Sequence, residues 1–151
     1  MATRGLLNLI HSNCPFIPIY LLVDYDPYGI LILRTYKYGS PRLSHETNNT
    51  VPSIRWLGIR SSDIVRPPER IPFPPGHFQH VSDHAAPLTA RDRRVAVRTL
   101  EAIHARAIHD VHLAEQVAEL QTMLILNIKA EIQFVDNYDN LAWWLDERLG
   151  V

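Results

Sequence analysis

The run Ile19-Tyr20-Leu21-Leu22-Val23-Asp24-Tyr25-Asp26-Pro27-Tyr28-Gly29 constrains this chain more than any other segment, because an apolar stretch ends abruptly in two closely spaced aspartates followed by Pro and Gly. A hydrophobic run closed in this way reads as a strand buried on both faces of a parallel sheet, and ligands in such sheets bind beyond the carboxyl ends of the strands. Asp24 and Asp26 stand at that end. Two ionised carboxylates this close repel by roughly 1 to 4 kcal/mol, for effective dielectric constants of about 80 to 20, unless a cation lies between them or one keeps its proton. Hard oxygen ligands favour magnesium, which keeps most of its waters and takes phosphate oxygens as further ligands. The same segment also reads as a strand-to-helix turn in which an aspartate caps the following helix. Pro27 at the first helical position and Gly29 behind it let the backbone approach an anion at the helix N-terminus.

The rest of the chain reads as one soluble globular domain, since 151 residues with 46% hydrophobic and 21% charged side chains can bury a sizeable core. Cys14 is the only cysteine, which excludes an internal disulfide and fits a reducing, intracellular compartment. No signal-peptide pattern and no apolar run of membrane-spanning length is present, so no membrane association is expected. The net charge of -1 hides a segregation. Arginines crowd the middle of the sequence and acids the C-terminal third, and a basic middle beside a metal site suits a polyanionic partner. Arg34, Arg42, Arg91, Arg94 and Arg98 are the candidate phosphate contacts.

Periodicity predicts a short helix from Thr3 to His11, a strand from Ile17 to Asp24, and a helix from Tyr28 to about Tyr38 ended by Gly39-Ser40 and apolar enough to be largely buried. Ser44 to Val51 is a polar loop, Ile54 to Ile59 the next strand candidate, and Ser62-Asp63 the start of a helical turn. Six prolines between Arg66 and Pro87 argue against regular structure there and leave a polyproline-like loop. Thr89 and Asp92 form a capping-box pattern that opens a helix to about Arg106, with Val95, Leu100 and Ile103 inward. A longer helix is expected from Leu113 to Phe134, with Val117, Leu120, Leu124, Ile128 and Ile132 on one face, and a last one from Asn140 to Leu149. That order indicates an α/β domain with parallel strands. His77, His80 and His84 match no zinc spacing and lack cysteine partners. Trp143-Trp144 fits core or interface better than a base-stacking platform.

Three further segments join the acid motif: Tyr36-Lys37-Tyr38-Gly39-Ser40, Val51-Pro52-Ser53-Ile54-Arg55-Trp56-Leu57-Gly58-Ile59 and Ser62-Asp63-Ile64. With Leu88-Thr89-Ala90-Arg91-Asp92, Met123-Leu124 and Lys129-Ala130-Glu131-Ile132, they make the chain resemble the Toprim domain of the topoisomerase VI A-subunit family, in its eukaryotic meiotic branch. The resemblance implies a Rossmann-like α/β Toprim sheet of parallel strands flanked by helices, N-terminally incomplete. It places a Toprim domain at 1–134, lacking its first strand, and a helical extension at 135–151. It implies magnesium on Asp24 and Asp26, double-stranded DNA as partner, and DNA breakage in meiosis by tyrosine transesterification in the nucleus. Full-length members would act as a homodimer or with a topoisomerase VI B-like subunit.

Thr3-Arg4 resembles the tail of a motif whose remainder, with a third metal-binding glutamate and the nucleophilic tyrosine, is expected upstream of Met1. No catalytic residue is therefore assigned here, because Tyr20, Tyr25, Tyr28, Tyr36, Tyr38 and Tyr138 all sit in segments with other roles, and the chain alone is expected to be inactive. Two alternatives stand beside this reading. One is a catalytically inactive DNA- or partner-binding fragment. The other is a haloacid-dehalogenase-type phosphatase, whose second acid is normally followed by Gly-Thr, where this chain has Pro27-Tyr28.

Overall fold

A computed structural model describes residues 2–39, 50–65, 85–136 and 141–150. Helix α1 (Ala2–Asn13) leads into β1 (Tyr20–Leu21), α2 (Pro27–Tyr38), β2 (Arg55–Trp56) and α3 (Ser61–Val65). The second half runs β3 (Ala85–Pro87), α4 (Ala90–Ala107), α5 (Val111–Leu126), β4 (Ile128–Ala130), α6 (Gln133–Asp136) and α7 (Leu141–Leu149). The result is the expected α/β arrangement. β1 pairs in parallel with β2, Tyr20 opposite Arg55 and Leu21 opposite Trp56, and helices flank the pair.

A second, antiparallel pair joins β3 to β4, which the sequence did not announce. Between the pairs, Tyr25 and Ala130 exchange both backbone hydrogen bonds, at 2.8 and 3.0 Å. This bridge hangs the acid motif on β4. One core forms where α4 and α5 meet α2, around Tyr25, Ile30, Ile103, Leu113, Leu120 and Met123. A smaller one gathers Ile19, Leu33, Val51 and Ile54 under the parallel pair. Each such side chain contributes roughly 1.5 to 3 kcal/mol when fully buried. Among the described residues no helix is long and apolar enough to cross a membrane.

Several expectations need correction. The strand expected from Ile17 to Asp24 is confined to Tyr20–Leu21, and it is not covered on both faces: Ile17 is 43% and Leu22 41% exposed. Among the described residues β1 has β2 as its one strand partner, and Leu22 lines an open cleft instead of a second layer. Helix α2 begins and ends where Pro27 and Gly39 dictate, but Ile32 on its outer face is 46% exposed. The helix expected to run to Phe134 stops at Leu126, because Asn127 adopts the left-handed conformation (φ 54°, ψ 42°) that closes helices, and Ile128 enters β4. Pro87 does end a regular element, as the terminal residue of a short edge strand where a missing N–H is tolerated. Arg42, most of the 44–51 loop, the 66–84 part of the proline-rich segment with His77, His80 and His84, and Tyr138 lie outside the described residues.

Candidate metal and nucleic-acid site

Asp26 sits in extended conformation (φ -149°, ψ 167°) immediately before Pro27, and its Oδ1 accepts from the Gly29 N–H at 2.6 Å. The capping reading of the motif is met by Asp26, which closes the N-terminus of α2. Gly29 is required by space: a Cβ there would collide with the carbonyl oxygen of Asp24 and press on Asp26 and Val23. Asp24 is exposed, and its Oδ1 accepts from the backbone N–H of Ile132 at 2.8 Å. The two acids share a cleft of about 280 Å³ with Leu22, Tyr28, Ile32 and Ile132.

Electrostatics mark this cleft as short of positive charge. Burial pushes the Asp26 carboxyl above its ordinary pKa, the Gly29 N–H opposes that shift, and the neighbouring Asp24 raises it again. The lysine whose charge reaches Asp26 is committed elsewhere. Lys129 Nζ binds Asp92 Oδ2 at 2.9 Å, and that bond raises the lysine's pKa. Burial pushes the Asp92 carboxyl up, but hydrogen bonds from Lys129 and from Thr89 outweigh it and hold the group below the ordinary range. Asp92 also completes the capping box of α4, its Oδ2 accepting from the Thr89 N–H at 2.9 Å.

Each acid of the pair has one oxygen engaged by a backbone N–H and one without such a partner, and among the described residues no three His, Cys, Asp or Glu side chains gather as a ligand set. Two carboxylates with room for water fit a magnesium ion, which binds through one or two carboxylates and keeps its waters, better than a metal needing a full protein cage. Tyr25 is completely buried, and burial followed by the charge of Glu119 pushes its phenol further from ionisation.

The arginines are divided by the fold. Arg91, Arg94 and Arg98 are exposed on α4 at spacings that share one helix face. Arg91 places its guanidinium 5.9 Å from the ring centre of Tyr28, at the acid cleft. Arg34 is half-buried, with Nε unpartnered, and burial followed by the charge of Arg106 lowers its pKa. Sequence reasoning missed Asp92, Lys129 and the Ile132 N–H as neighbours of the pair. The Thr89–Asp92 pattern signalled only a cap, and nothing in the spacing ties residue 24 to residue 132.

Comparison with known proteins shows which family the sequence belongs to. Residues 1–143 match the TOP6A-Spo11 Toprim family, the Toprim domain shared by Spo11 and the topoisomerase 6 A-subunit. The chain is similar to the mouse meiotic recombination protein SPO11, 40% identical over 118 residues that cover 78% of this chain and 26% of that protein. It is similar to the A3 subunit of DNA topoisomerase 6 from Oryza sativa subsp. indica, 36% identical over 141 residues covering 91% of this chain and 28% of that protein. It is similar to SPO11-1 of the same plant, 38% identical over 131 residues covering 86% and 29%. The chain thus spans between a quarter and a third of the length of these relatives. With the family match reaching from Met1 to residue 143, the α/β fold is a Toprim fold and the chain belongs to the TOP6A-Spo11 Toprim domain family.

Proposed function

We propose that Asp24 and Asp26 bind magnesium, and that the chain is the metal-binding Toprim part of a protein that makes meiotic double-strand breaks in DNA by tyrosine transesterification. The acid pair carries this reading: two carboxylates in the connection from β1 to α2 line one cleft, and Asp26 is held above its ordinary pKa by burial and by Asp24. Magnesium bound there would polarise a phosphodiester and stabilise the leaving oxygen. The chain's own residues do the positioning. The Ile132 N–H orients Asp24, the Gly29 N–H orients Asp26, and Arg91, Arg94 and Arg98 attract the phosphates that flank the break. The nucleophilic tyrosine comes from a part of the protein other than these segments. Double-stranded DNA, a second copy or a topoisomerase VI B-like subunit, and the chromosome in the nucleus belong to the same reading. In it, 1–134 form the Toprim unit and 135–151 an extension, whose Trp144 is buried and whose Arg148 pairs with Asp63 of α3.

Manganese serves as the test. As a paramagnetic probe it should broaden backbone signals around Asp24 to Gly29 and spare the Asp24→Asn/Asp26→Asn double variant. Equal broadening in that variant would overturn the assignment. DNA binding has its own test: affinity should fall steeply with salt, and reversing charge at Arg94 and Arg98 should reduce the slope of log K against log salt by up to about 2. A flat salt dependence in the parent chain would make the α4 arginines a solvated face and nothing more.

A further inference from the structure

The other end of α2 holds a charge that the acid pair does not use. Lys37 is buried, 8% exposed, and its ammonium makes one hydrogen bond among the described residues, to the Ile54 carbonyl oxygen at 3.1 Å. An ammonium has three N–H donors and no lone pair, so two donors are left over. The carboxylates whose fields reach it are already engaged. Asp110 accepts from the Tyr38 hydroxyl at 2.9 Å and from the His112 and Leu113 N–H groups at the start of α5, and Glu115 pairs with Arg60 at 2.6 Å. Burial pushes the lysine's pKa down, and Asp110 and Glu115 offset that only in part.

Lys37 lines a cavity of about 220 Å³ with Trp56, Arg60, His112, Glu115 and Gln116, none of which lines the acid cleft. Gln116 is 1% exposed and its Oε1 has no hydrogen-bond partner. Arg60 stacks 3.8 Å from the Trp56 ring centre with its own Nε buried and unpartnered. Arg55 and His112 add basic groups at the edge. A buried amide oxygen without a partner is rare enough in folded proteins to call for an explanation, and an amide turned over would set its N–H groups there instead. Drug-sized and cofactor sites begin at about 300 Å³, so this cavity suits something smaller.

We propose that the cavity binds a small oxyanion, with Lys37 as its counter-charge and the Gln116 amide, turned to donate its N–H groups, as the second contact. Phosphate and carboxylate share that chemistry. Exposed His112 and Glu115 border the entrance, so the ion need not cross the core.

Titration of inorganic phosphate into the whole chain at constant ionic strength tests this, with acetate in a parallel arm, read by thermal melting and by 31P line width. A saturable rise in Tm is expected, with phosphate alone, acetate alone or both responding according to which oxyanion shape fits. Lys37→Gln should weaken the response at least about tenfold, as loss of a charged hydrogen bond does. Gln116→Glu, which sets a carboxylate in the cavity, should raise Tm without any added anion and abolish the response. Absence of a saturable response to either anion would overturn the proposal. So would an equal response in Lys37→Gln, or a Gln116→Glu protein that melts below the parent and still responds.

Discussion

The two ends of α2 carry opposite charges, each at the end where the helix dipole favours it: Asp26 at the N-terminus and Lys37 in the last turn. In both places burial wins over the dipole, pushing the carboxyl pKa up and the ammonium pKa down. The ends differ in what surrounds them. At the first, a second acid adds repulsion beside an open cleft. At the second, nearby acids are consumed by a tyrosine hydroxyl, a helix cap and an arginine, leaving a closed-in cation with one carbonyl for company. Stability alone would select against both arrangements. An under-compensated charge at each terminus of one helix is what the two proposals share, with a cation bound at one end and an anion at the other.

Substitutions at the two glycines that bracket the helix should separate the ends most sharply. Gly29→Ala forces a methyl against the Asp24 carbonyl and should destabilise the chain by roughly 1 to 3 kcal/mol, as overpacking does. Gly39→Ala meets only the Thr50 methyl but must hold φ at 86° with ψ at 176°, a region essentially confined to glycine, and should cost roughly 1 to 3 kcal/mol from backbone strain alone. Denaturant melts in which Gly29→Ala costs nothing while Gly39→Ala does would show that the acid end is the looser one. Next, Lys37→Met removes a buried charge at the cost of the hydrogen bond to the Ile54 carbonyl oxygen, and should raise stability by up to about 2 kcal/mol in anion-free buffer if removing the charge outweighs that loss. A loss of that size would mean that the bond to Ile54 outweighs the burial of the charge. At the acid end, Asp26→Ala forfeits the cap at about 1 kcal/mol. Asp26→Asn keeps an acceptor for the Gly29 N–H and removes the repulsion, so it should be at least as stable as the parent at neutral pH.

The smallest effect is the most diagnostic. Asp26 holds its proton more tightly folded than unfolded, so its penalty is fully present above the folded pKa and is relieved as pH falls through that value toward 3.8. Lys37 holds its proton less tightly folded, so its penalty is fully present below the folded pKa and is relieved as pH rises through that value toward 10.5. Difference curves of stability against pH should therefore show the Asp26→Asn gain vanishing on the acid side and the Lys37→Met gain vanishing on the alkaline side. Parallel curves would assign the shifts to groups elsewhere.

Local rules made the acid end legible from sequence. Pro27 and Gly39 set the limits of α2, and Thr89 with Asp92 set the start of α4, because caps and prolines act over a few residues. The break at Asn127 was not legible, since Ile128 and Ile132 continue the helical spacing of α5 and a single left-handed residue leaves no mark on periodicity. The lysine cavity was invisible for a different reason. Lys37, Trp56, Arg60 and Gln116 come from separate stretches, and each taken alone is an ordinary residue of its helix, strand or loop. Their meaning is a property of the packing.

The hydrogen bond from Ile132 to Asp24 spans 108 positions along the chain, and the Tyr25–Ala130 bridge closes a loop of similar size. Contacts so distant in sequence pay their loop-closure entropy before they return any stabilisation, which slows the step that forms them. On a ribosome, β1 and the start of α2 leave the exit tunnel long before β4 exists. Asp24 therefore waits without its orienting N–H until the C-terminal third has been made and has docked. The acid cleft is a late product of folding, and a chain interrupted between residues 26 and 132 carries both aspartates yet lacks the geometry that holds them.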